Sequence, residues 1–255
     1  MKVVILAGGY GSRLSELTET IPKPMVLIAG KPIIWHIMQR YASHGYKDFI
    51  LALGYKNEVI KDYFYNFTRL DSDFTVSLRT GDITYHRECM DDWNVTLVDT
   101  GLNTMTGGRL KRLKEYIDTE DFMVTYGDGV SDINIGELVR FHKSHGRSVT
   151  VTAVRPPTRF GEMTVKGDMV VEFAEKPQLA DGWISGGFFV MHSSILDEIE
   201  GDDTMLEREP LERKARQGEL CAYRHQGFWQ CMDTKKDLNM LESLASGGEK
   251  PPWMA

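Results

Sequence analysis

The stretch Lys2-Val3-Val4-Ile5-Leu6-Ala7-Gly8-Gly9-Tyr10-Gly11-Ser12-Arg13-Leu14 begins as an apolar, β-branched run and then has three glycines within four positions. Such a run is typical of a strand that is buried on both faces of a sheet. Glycines let a backbone turn sharply and bring its N–H groups close to an anion, and Arg13 adds a cation beside them. The stretch therefore indicates a buried strand that ends either in a phosphate-binding turn or in an ordinary strand-to-helix turn.

Composition narrows the class of protein. The 255-residue chain is 42% hydrophobic, which is enough for one large domain or two small ones. Its 30 basic and 37 acidic residues give a net charge of -7, which argues against a nucleic-acid or membrane-surface binder. Cys89, Cys221 and Cys231 form no CxxC pair, which argues against a zinc ribbon or disulfide framework and favours a reducing cytoplasm. Neither a signal peptide nor a membrane span is predicted.

Apolar runs and helical patterns alternate along much of the chain. They predict, in order, helix 32–43, strand 49–53, helix 59–67, strand 122–126, helix 135–145 and strand 149–154. We therefore expect an α/β fold with a Rossmann-like, mixed, mostly parallel sheet flanked by helices, and a smaller β-rich portion from residue 163. Alternating residues within 74–99 predict a sheet-edge extension or an antiparallel flap. We expect a single domain over 1–245 with a sheet-edge β insertion at about 70–100, and a loosely attached tail at 246–255.

Three charged residues stand in stiff or structurally marked positions. Prolines on both sides of Lys23 exclude a helix there, so this lysine is either a fixed point charge near a ligand or a solvated loop residue. Asp128 lies between two glycines after a predicted core strand, which suits a Mg²⁺ ligand or a turn aspartate that bonds its own backbone. Asp233 precedes the predicted helix 235–244, where a helix cap is the simplest interpretation.

A second glycine pair opens the helix that is predicted from residue 104 to about 117. Thr106 is a candidate cap for this helix. Gly107 and Gly108 permit a close approach of the backbone, and Arg109 adds local positive charge. These residues indicate either a second ligand-facing turn or an amphipathic helix with a basic outer face.

The two commonest phosphate-binding motifs do not fit. A Rossmann dinucleotide site needs a third glycine where the chain has Leu14, and an acidic residue after the second strand, which instead continues as Leu53-Gly54-Tyr55. The pattern G-x-x-x-x-G-K-[ST] is absent. The glycine turn is therefore neither a standard NAD site nor a P-loop, and an NAD oxidoreductase is disfavoured.

The first stretch, Leu6 to Leu14, together with Pro22-Lys23-Pro24-Met25 resembles the signature of the sugar-1-phosphate nucleotidyltransferases. Later stretches resemble the cytidylyltransferase branch of that family, whose members act on glucose 1-phosphate. These stretches are Trp93 to Gly101, Met105 to Arg112, Thr125 to Val130, Glu175-Lys176-Pro177, Gly186 to Val190, Gly227 to Gln230 and Met232-Asp233-Thr234. The resemblance runs in order from residue 1 to about 253.

The resemblance implies a reaction. CMP would pass from CTP to α-D-glucose 1-phosphate by in-line attack of the sugar phosphate on the α-phosphorus. The products would be pyrophosphate and CDP-glucose, a precursor of dideoxysugars in O-antigen and similar surface polysaccharides. Three alternatives stay open: another sugar 1-phosphate, dTTP or UTP as donor, and a non-catalytic nucleotide-sugar-binding regulator. The implied partners are CTP, a sugar 1-phosphate and further copies of the chain, with no nucleic acid and no membrane.

The resemblance also implies roles for residues. Arg13 would neutralise the departing pyrophosphate, Lys23 would contact phosphate near the reacting centre, and Asp128 and Asp233 would share one Mg²⁺. The substrate-binding residues would be Leu6, Ala7, Gly8, Gly9, Gly11, Ser12, Thr106, Gly107, Gly108 and Arg109 for the nucleotide, Lys176 for the sugar phosphate, and Gly161, Glu175, Ser185, Gly186 and Trp229 in a β-rich sugar-binding portion. Ser185 and Cys231 depart from the family pattern, in which Asn and Pro are usual.

Overall fold

The computed structural model of the chain describes residues 1–11, 14, 18–86, 91–155, 162–166, 168–174 and 182–254. The strands are Val3–Leu6 (β1), Leu27–Ile28 (β2), Lys31–Pro32 (β3), Asp48–Leu53 (β4), Phe74–Val76 (β5), Ile83–Tyr85 (β6), Asn94–Asp99 (β7), Asp121–Tyr126 (β8), Gly129–Ser131 (β9), Val149–Val154 (β10), Glu162–Lys166 (β11), Met169–Ala174 (β12), Ile184–Ser185 (β13), Phe189–His192 (β14), Leu220–Arg224 (β15) and Trp229–Cys231 (β16). The α-helices are Ile33–Ala42 (α1), Asn57–Tyr65 (α2), Phe67–Asp71 (α3), Thr106–Arg112 (α4), Ile135–His145 (α5), Glu209–Arg216 (α6) and Lys235–Ser246 (α7). Short 3-10 turns cover Lys23–Met25, Lys114–Tyr116, Ser193–Glu198 and Pro252–Met254. None of the helices in these ranges is long and apolar enough to cross a membrane.

An eight-stranded sheet organises the described fold, in the order β7-β4-β1-β8-β14-β10, with β13 and β15 also pairing with β10. β1 lies between β4 and β8 and runs parallel to both, with Leu6 opposite Ala52 and Tyr126. β14 is antiparallel to β8 and β10, whereas β7 is parallel to β4 and β15 to β10. The prediction of an α/β fold with a Rossmann-like, mixed, mostly parallel sheet is confirmed.

Both faces of the sheet are buried at β1, as the apolar run of this strand predicts. Val3 and Ile5 belong to the core that contains the apolar face of α1. Val4 and Leu6 point to the opposite side and belong to the core that contains Leu110 of α4. Because side chains alternate along a strand, an apolar residue at every position requires a covered surface on each face.

Residues 74–99 contain both of the structures that the sequence allows. β7 extends the main sheet by pairing parallel with β4 along its whole length. β5 and β6 instead form a separate antiparallel hairpin, with Phe74 opposite Tyr85. All residues of these two strands are exposed, so the hairpin lies outside the two cores.

The C-terminal residues differ from the prediction of a loosely attached tail. α7 continues to Ser246, and Trp253 is only 1% exposed. The Trp253 indole N–H donates a hydrogen bond of 3.2 Å to Nδ1 of His36 in α1. The tail is therefore packed into the core, because a buried indole supplies a large apolar surface and finds a partner for its one donor.

Candidate active site

A cleft of about 820 Å³ opens at the carboxyl ends of β1 and β8. The carboxyl ends of parallel strands are where open α/β sheets bind their ligands. The described residues that line the cleft are Leu6, Ala7, Gly8, Gly9, Tyr10, Gly11, Lys23, Pro24, Leu102, Asn103, Thr104, Met105, Thr106, Arg109, Tyr126, Gly127, Asp128, Ser185, Gly186, Trp229, Cys231 and Asp233. The fold thus gathers most of the described residues that the sequence singles out into one cavity.

Two carboxylates meet in this cleft although they are distant in sequence. β9 follows Asp128 directly and pairs antiparallel with β16, which places Gly129 opposite Cys231. The Met232 N–H then donates to the Asp128 carbonyl oxygen at 2.8 Å. This pairing carries Asp233 alongside Asp128.

The side chain of Lys23 lies between the two carboxylates. Its Nζ is 2.6 Å from Asp128 Oδ2 and 2.6 Å from Asp233 Oδ1. The lysine begins a 3-10 turn between two prolines, and its side chain is 12% exposed. Burial alone would lower the pKa of Lys23, but the charges and hydrogen bonds of both aspartates outweigh it, so this pKa lies above its usual value of 10.5.

The paired carboxylates fit a divalent cation that also binds phosphate. A single positive charge, the Lys23 ammonium, already contacts one oxygen of each aspartate, so the two oxygens lie within reach of one cation. No cluster of three or more His, Cys, Asp or Glu that would enclose a metal occurs among the described residues. Mg²⁺ commonly takes one or two carboxylates and leaves its other positions to water and phosphate oxygens, so the donor set suits it.

Asp233 is not the cap of α7. Thr234 holds that position: its Oγ1 accepts from the Asp237 N–H at 3.3 Å, and Asp237 Oδ2 accepts from the Thr234 N–H at 2.8 Å. This reciprocal capping box satisfies the start of the helix without the Asp233 carboxylate. Asp233 instead lines the cleft, where its carboxylate contacts Lys23.

Cys231 lies beside the carboxylates, with its Sγ 3.8 Å from Asp233 Oδ2. Burial, followed by the charges of Asp233 and Asp128, raises the pKa of this thiol to about 12. The side chain is thus a neutral thiol at physiological pH, and it adds no charge to the site.

Two of the three glycines in the turn after β1 lie close to other protein atoms. A Cβ at Gly8 would lie 2.2 Å from Arg109 Nη1, so a larger residue there would displace the Arg109 guanidinium. Gly11 has a φ of +64°, and a Cβ on it would lie 3.1 Å from the Cβ of Lys23. A Cβ at Gly9 would meet no atom of the described residues within 4 Å, so Gly9 is the open position among the described glycines of this turn.

Arg109 is 5% exposed, and its guanidinium donates into the protein. Nη2 donates to the Gly8 carbonyl at 3.1 Å. Nη1 donates to the carbonyls of Leu53 and Gly101 at 2.8 Å each and to Thr100 Oγ1 at 2.7 Å. Arg109 therefore ties together the carboxyl ends of β1, β4 and β7, and these bonds differ from the substrate contact that the resemblance implies.

Gly107 and Gly108 do not line the cleft. Their N–H groups donate to the Thr204 carbonyl at 2.9 and 3.2 Å. A Cβ at Gly108 would lie 2.5 Å from Asp202 Cα, so the close approach is to the segment 201–207. Thr106 does line the cleft, but it is not a cap, because the N-cap is Met105.

The backbone of Leu6 and Ala7 is partly committed to the sheet. The Ala7 N–H donates to Ala52 at 3.0 Å, and the Leu6 carbonyl accepts from the Gly127 N–H at 3.0 Å. These two groups are therefore engaged within the protein, although both residues line the cleft.

Ser185, Gly186 and Trp229 lie together at another part of the cleft wall. The Trp229 indole N–H donates to the Gly186 carbonyl at 2.8 Å. A Cβ at Gly186 would lie 2.6 Å from Val154 Cγ1, so close packing against β10 requires this glycine. Ser185 is exposed at the cleft surface.

Five residues that the resemblance assigns to the site lie outside the described residues. They are Ser12, Arg13, Gly161, Glu175 and Lys176. Their roles stay predictions.

Sequence reasoning missed several residues of the cleft. Tyr10 donates from its hydroxyl to Asn103 Oδ1 at 2.8 Å, and its ring lies 5.2 Å from that of Tyr55. Tyr126 donates to Glu207 Oε1 at 2.5 Å. The positions of Tyr10 within the glycine turn and of Tyr126 just before Gly127 were available signals, whereas no local pattern marks Glu207.

Known proteins resemble the chain over nearly its whole length. A family model described as nucleotidyl transferase matches residues 2–234. The chain is 52% identical over 254 residues to a glucose-1-phosphate cytidylyltransferase of Salmonella typhimurium, an alignment that covers 99% of this chain and 98% of that protein. It is 43% identical over 251 residues to a probable glucose-1-phosphate cytidylyltransferase of Bacillus subtilis, with 98% of each chain covered.

Solved structures share the fold. HddC from Yersinia pseudotuberculosis matches with a TM-score of 0.69 at 23% identity, covering 95% of this chain and 98% of that one. A UDP-glucose pyrophosphorylase complexed with UDP-glucose matches with a TM-score of 0.69 at 17% identity, covering 97% and 99%. At these identities the likeness is one of architecture.

Proposed function

The chain belongs to the nucleotidyl transferase family, and we propose that it transfers CMP from CTP to α-D-glucose 1-phosphate, giving CDP-glucose and pyrophosphate. The observation that carries this proposal is the arrangement of Lys23, Asp128 and Asp233 at the carboxyl edge of the sheet. The full-length identity to glucose-1-phosphate cytidylyltransferases supports the choice of CTP and glucose 1-phosphate.

The reaction requires little acid–base catalysis from the protein. The attacking oxygen belongs to a phosphate that is already an anion, so no general base is required. Catalysis then rests on holding the sugar phosphate in line with the leaving pyrophosphate and on neutralising negative charge. A cleft with a fixed lysine and two carboxylates matches these needs.

Each charged residue has a distinct part in this proposal. Lys23 contacts phosphate oxygens near the reacting centre once a nucleotide is bound. Arg13 neutralises the departing pyrophosphate, and Lys176 binds the phosphate of the sugar. The glycine turn holds the triphosphate backbone, with Gly9 as its open position.

Asp128 and Asp233 hold the metal of the reaction. Members of this family typically use a divalent metal, and we propose Mg²⁺ because two carboxylates leave coordination positions for phosphate. When bound there, Mg²⁺ supplies positive charge to phosphate oxygens. The two aspartates orient that charge toward the cleft, and β9 and β16 hold them in place.

The two substrates occupy different parts of the cleft. The nucleotide lies along the glycine turn and the start of α4 at Thr106, while the sugar lies against Ser185, Gly186 and Trp229. We also propose a homo-oligomer, a cytoplasmic setting in which CTP is at hand, and a role for the product in dideoxysugar synthesis for surface polysaccharides.

A donor and acceptor panel tests the proposal. The protein is incubated with Mg²⁺, with CTP, dTTP or UTP, and with a set of sugar 1-phosphates, and pyrophosphate release is measured. CTP with glucose 1-phosphate should give the highest kcat/KM. Preference for another donor would overturn the cytidylyl assignment, and preference for another sugar would overturn the choice of glucose, for which Ser185 is the first residue to examine.

A further inference from the structure

Glu207 lies behind the cleft, between the 3-10 turn Ser193–Glu198 and α6. One of its carboxylate oxygens accepts from the Tyr126 hydroxyl at 2.5 Å, and the other accepts from Thr106 Oγ1 at 2.6 Å. Both partners line the cleft, whereas Glu207 itself does not. One carboxylate thus bridges two cleft-lining side chains.

The two partners belong to opposite sides of the site. Thr106 opens α4, on the side that the proposed function gives to the nucleotide. Tyr126 ends β8. Its ring packs against Gly187, because a Cβ on that glycine would lie only 3.0 Å from Tyr126 Cδ2. Gly187 directly follows Ser185 and Gly186 on the sugar side. Glu207 therefore connects the nucleotide side to the sugar side.

The hydroxyl groups of Thr106 and Tyr126 both act as hydrogen-bond donors to Glu207. Thr106 Oγ1 accepts from the Leu206 N–H at 2.9 Å, so its single proton is left to donate to Glu207. The Tyr126 hydroxyl has a single proton, and its 2.5 Å contact directs that proton to Glu207 Oε1. Both contacts have the short distances of O–H donors to a carboxylate.

Backbone hydrogen bonds join the segment that leads to Glu207 to the start of α4. The Met105 N–H donates to the Asp202 carbonyl at 2.8 Å, and the Gly107 N–H donates to the Thr204 carbonyl at 2.9 Å. The segment 201–207 is therefore held against the start of α4. The Glu207 side chain extends that connection to β8, which leads into the metal-binding Asp128.

We propose that Glu207 is a positioning residue that sets the distance between the bound nucleotide and the bound sugar phosphate. The inference rests on the proposed function, because the two sides are assigned by it. In-line transfer depends on alignment of the attacking oxygen with the α-phosphorus, and a displacement of about 1 Å lowers such rates about 100-fold. Binding of either substrate alone needs only one side of the cleft.

The bridge therefore predicts a separation between turnover and binding. Glu207→Ala should lower kcat about 10- to 100-fold, while the Kd values for CTP alone and for glucose 1-phosphate alone stay within about threefold of the wild type. Glu207→Gln keeps the shape of the side chain but has one oxygen acceptor, so its kcat should lie between those of the wild type and Glu207→Ala.

The experiment measures kcat by pyrophosphate release and each Kd by calorimetry with a single substrate present. Glu212→Ala is the matched control, because Glu212 is 59% exposed and pairs only loosely, at 3.6 Å, with Arg216. This control should keep the wild-type kcat. If Glu207→Ala does not fold, Tyr126→Phe takes its place, because it removes the hydrogen bond from β8 to Glu207 and leaves Thr106 unchanged.

Two results would overturn the inference. One is a wild-type kcat in Glu207→Ala or in Tyr126→Phe. The other is a rise in the Kd of a single substrate as large as the fall in kcat/KM, which would make Glu207 part of one substrate pocket. Failure of the proposed function is distinct from both, because the wild-type protein itself would then fail to release pyrophosphate from CTP and glucose 1-phosphate.

Discussion

The guanidinium of Arg109 lies directly beneath Gly8, with Nη2 donating to the Gly8 carbonyl oxygen at 3.1 Å. The sequence associates Gly8 with a bound anion, but a side chain at this position would first meet the buried guanidinium of Arg109. The contact joins the end of β1 to α4, and the two elements form adjacent walls of the cleft. The shape of the glycine turn thus depends on a residue about a hundred positions away in the sequence.

Arg109→Met should destabilise the protein by about 3 kcal/mol, because it leaves buried carbonyl groups without their donor. Urea unfolding measures this change. Arg112→Met is the matched control on the same helix, since Arg112 forms an exposed ion pair with Asp202. The control should lose much less stability, and equal losses in both variants would contradict the role of Arg109.

Lys23→Met should bind Mn²⁺ in the absence of nucleotide about tenfold or more tightly than the wild type, because the ammonium competes with a metal for the same carboxylates. The same variant should lose turnover. Mn²⁺ titration followed by electron paramagnetic resonance measures the affinity. Lys31→Met is the control, because Lys31 pairs with Asp71 on the exposed surface. An unchanged Mn²⁺ affinity in Lys23→Met would show that the lysine and the metal do not share the site.

Asp128→Asn and Asp233→Asn should each lower kcat about 100-fold or more while the fold is kept, because each removes one charged metal ligand. Pyrophosphate release measures turnover, and circular dichroism checks the fold. Asp92→Asn is a suitable control, since Asp92 is an exposed partner of Lys47. Normal turnover in either variant would contradict the assignment of Asp128 and Asp233 as metal ligands.

The main strands and helices were predictable where local signals agree. The helix predicted over 135–145 has those bounds because Asn134 Oδ1 accepts from the Glu137 N–H at 3.0 Å and Gly146 ends the helix with a φ of +63°. Such caps act within a few residues of the helix end, so a sequence displays them.

Contacts between residues that are distant in the sequence could not be predicted from local patterns. Nothing near Trp253 indicates that it packs on His36, and nothing near Asp128 indicates that β9 pairs with β16. The close approach at Gly108 is to Asp202, although a glycine pair looks the same whether protein or ligand approaches it. The resemblance implied that Asp128 and Asp233 share one metal, but the position of the Lys23 ammonium between them was not predicted.

The contact between His36 and Trp253 makes stability depend on pH. The Ile28 carbonyl is 2.8 Å from Nε2 of His36 and accepts its proton, while Nδ1 accepts from the Trp253 indole N–H. This pattern requires a neutral ring. Burial lowers the pKa of His36 below its usual 6.5, although the hydrogen bond to Ile28 acts in the opposite direction.

The unfolded chain therefore takes up a proton at His36 at a higher pH than the folded protein does. The contribution to stability is complete above pH 6.5 and is lost as the pH falls from there through the lowered pKa of the folded state. His36→Gln should be less stable than the wild type near neutral pH but should lose less stability between about pH 7.5 and 5.5, as measured by urea unfolding. Burial also lowers the pKa values of His44, His142 and His145, so part of the wild-type loss should persist in the variant. Equal losses over this range in wild type and variant would assign the whole pH dependence to those other groups and would contradict a titrating contact at Trp253.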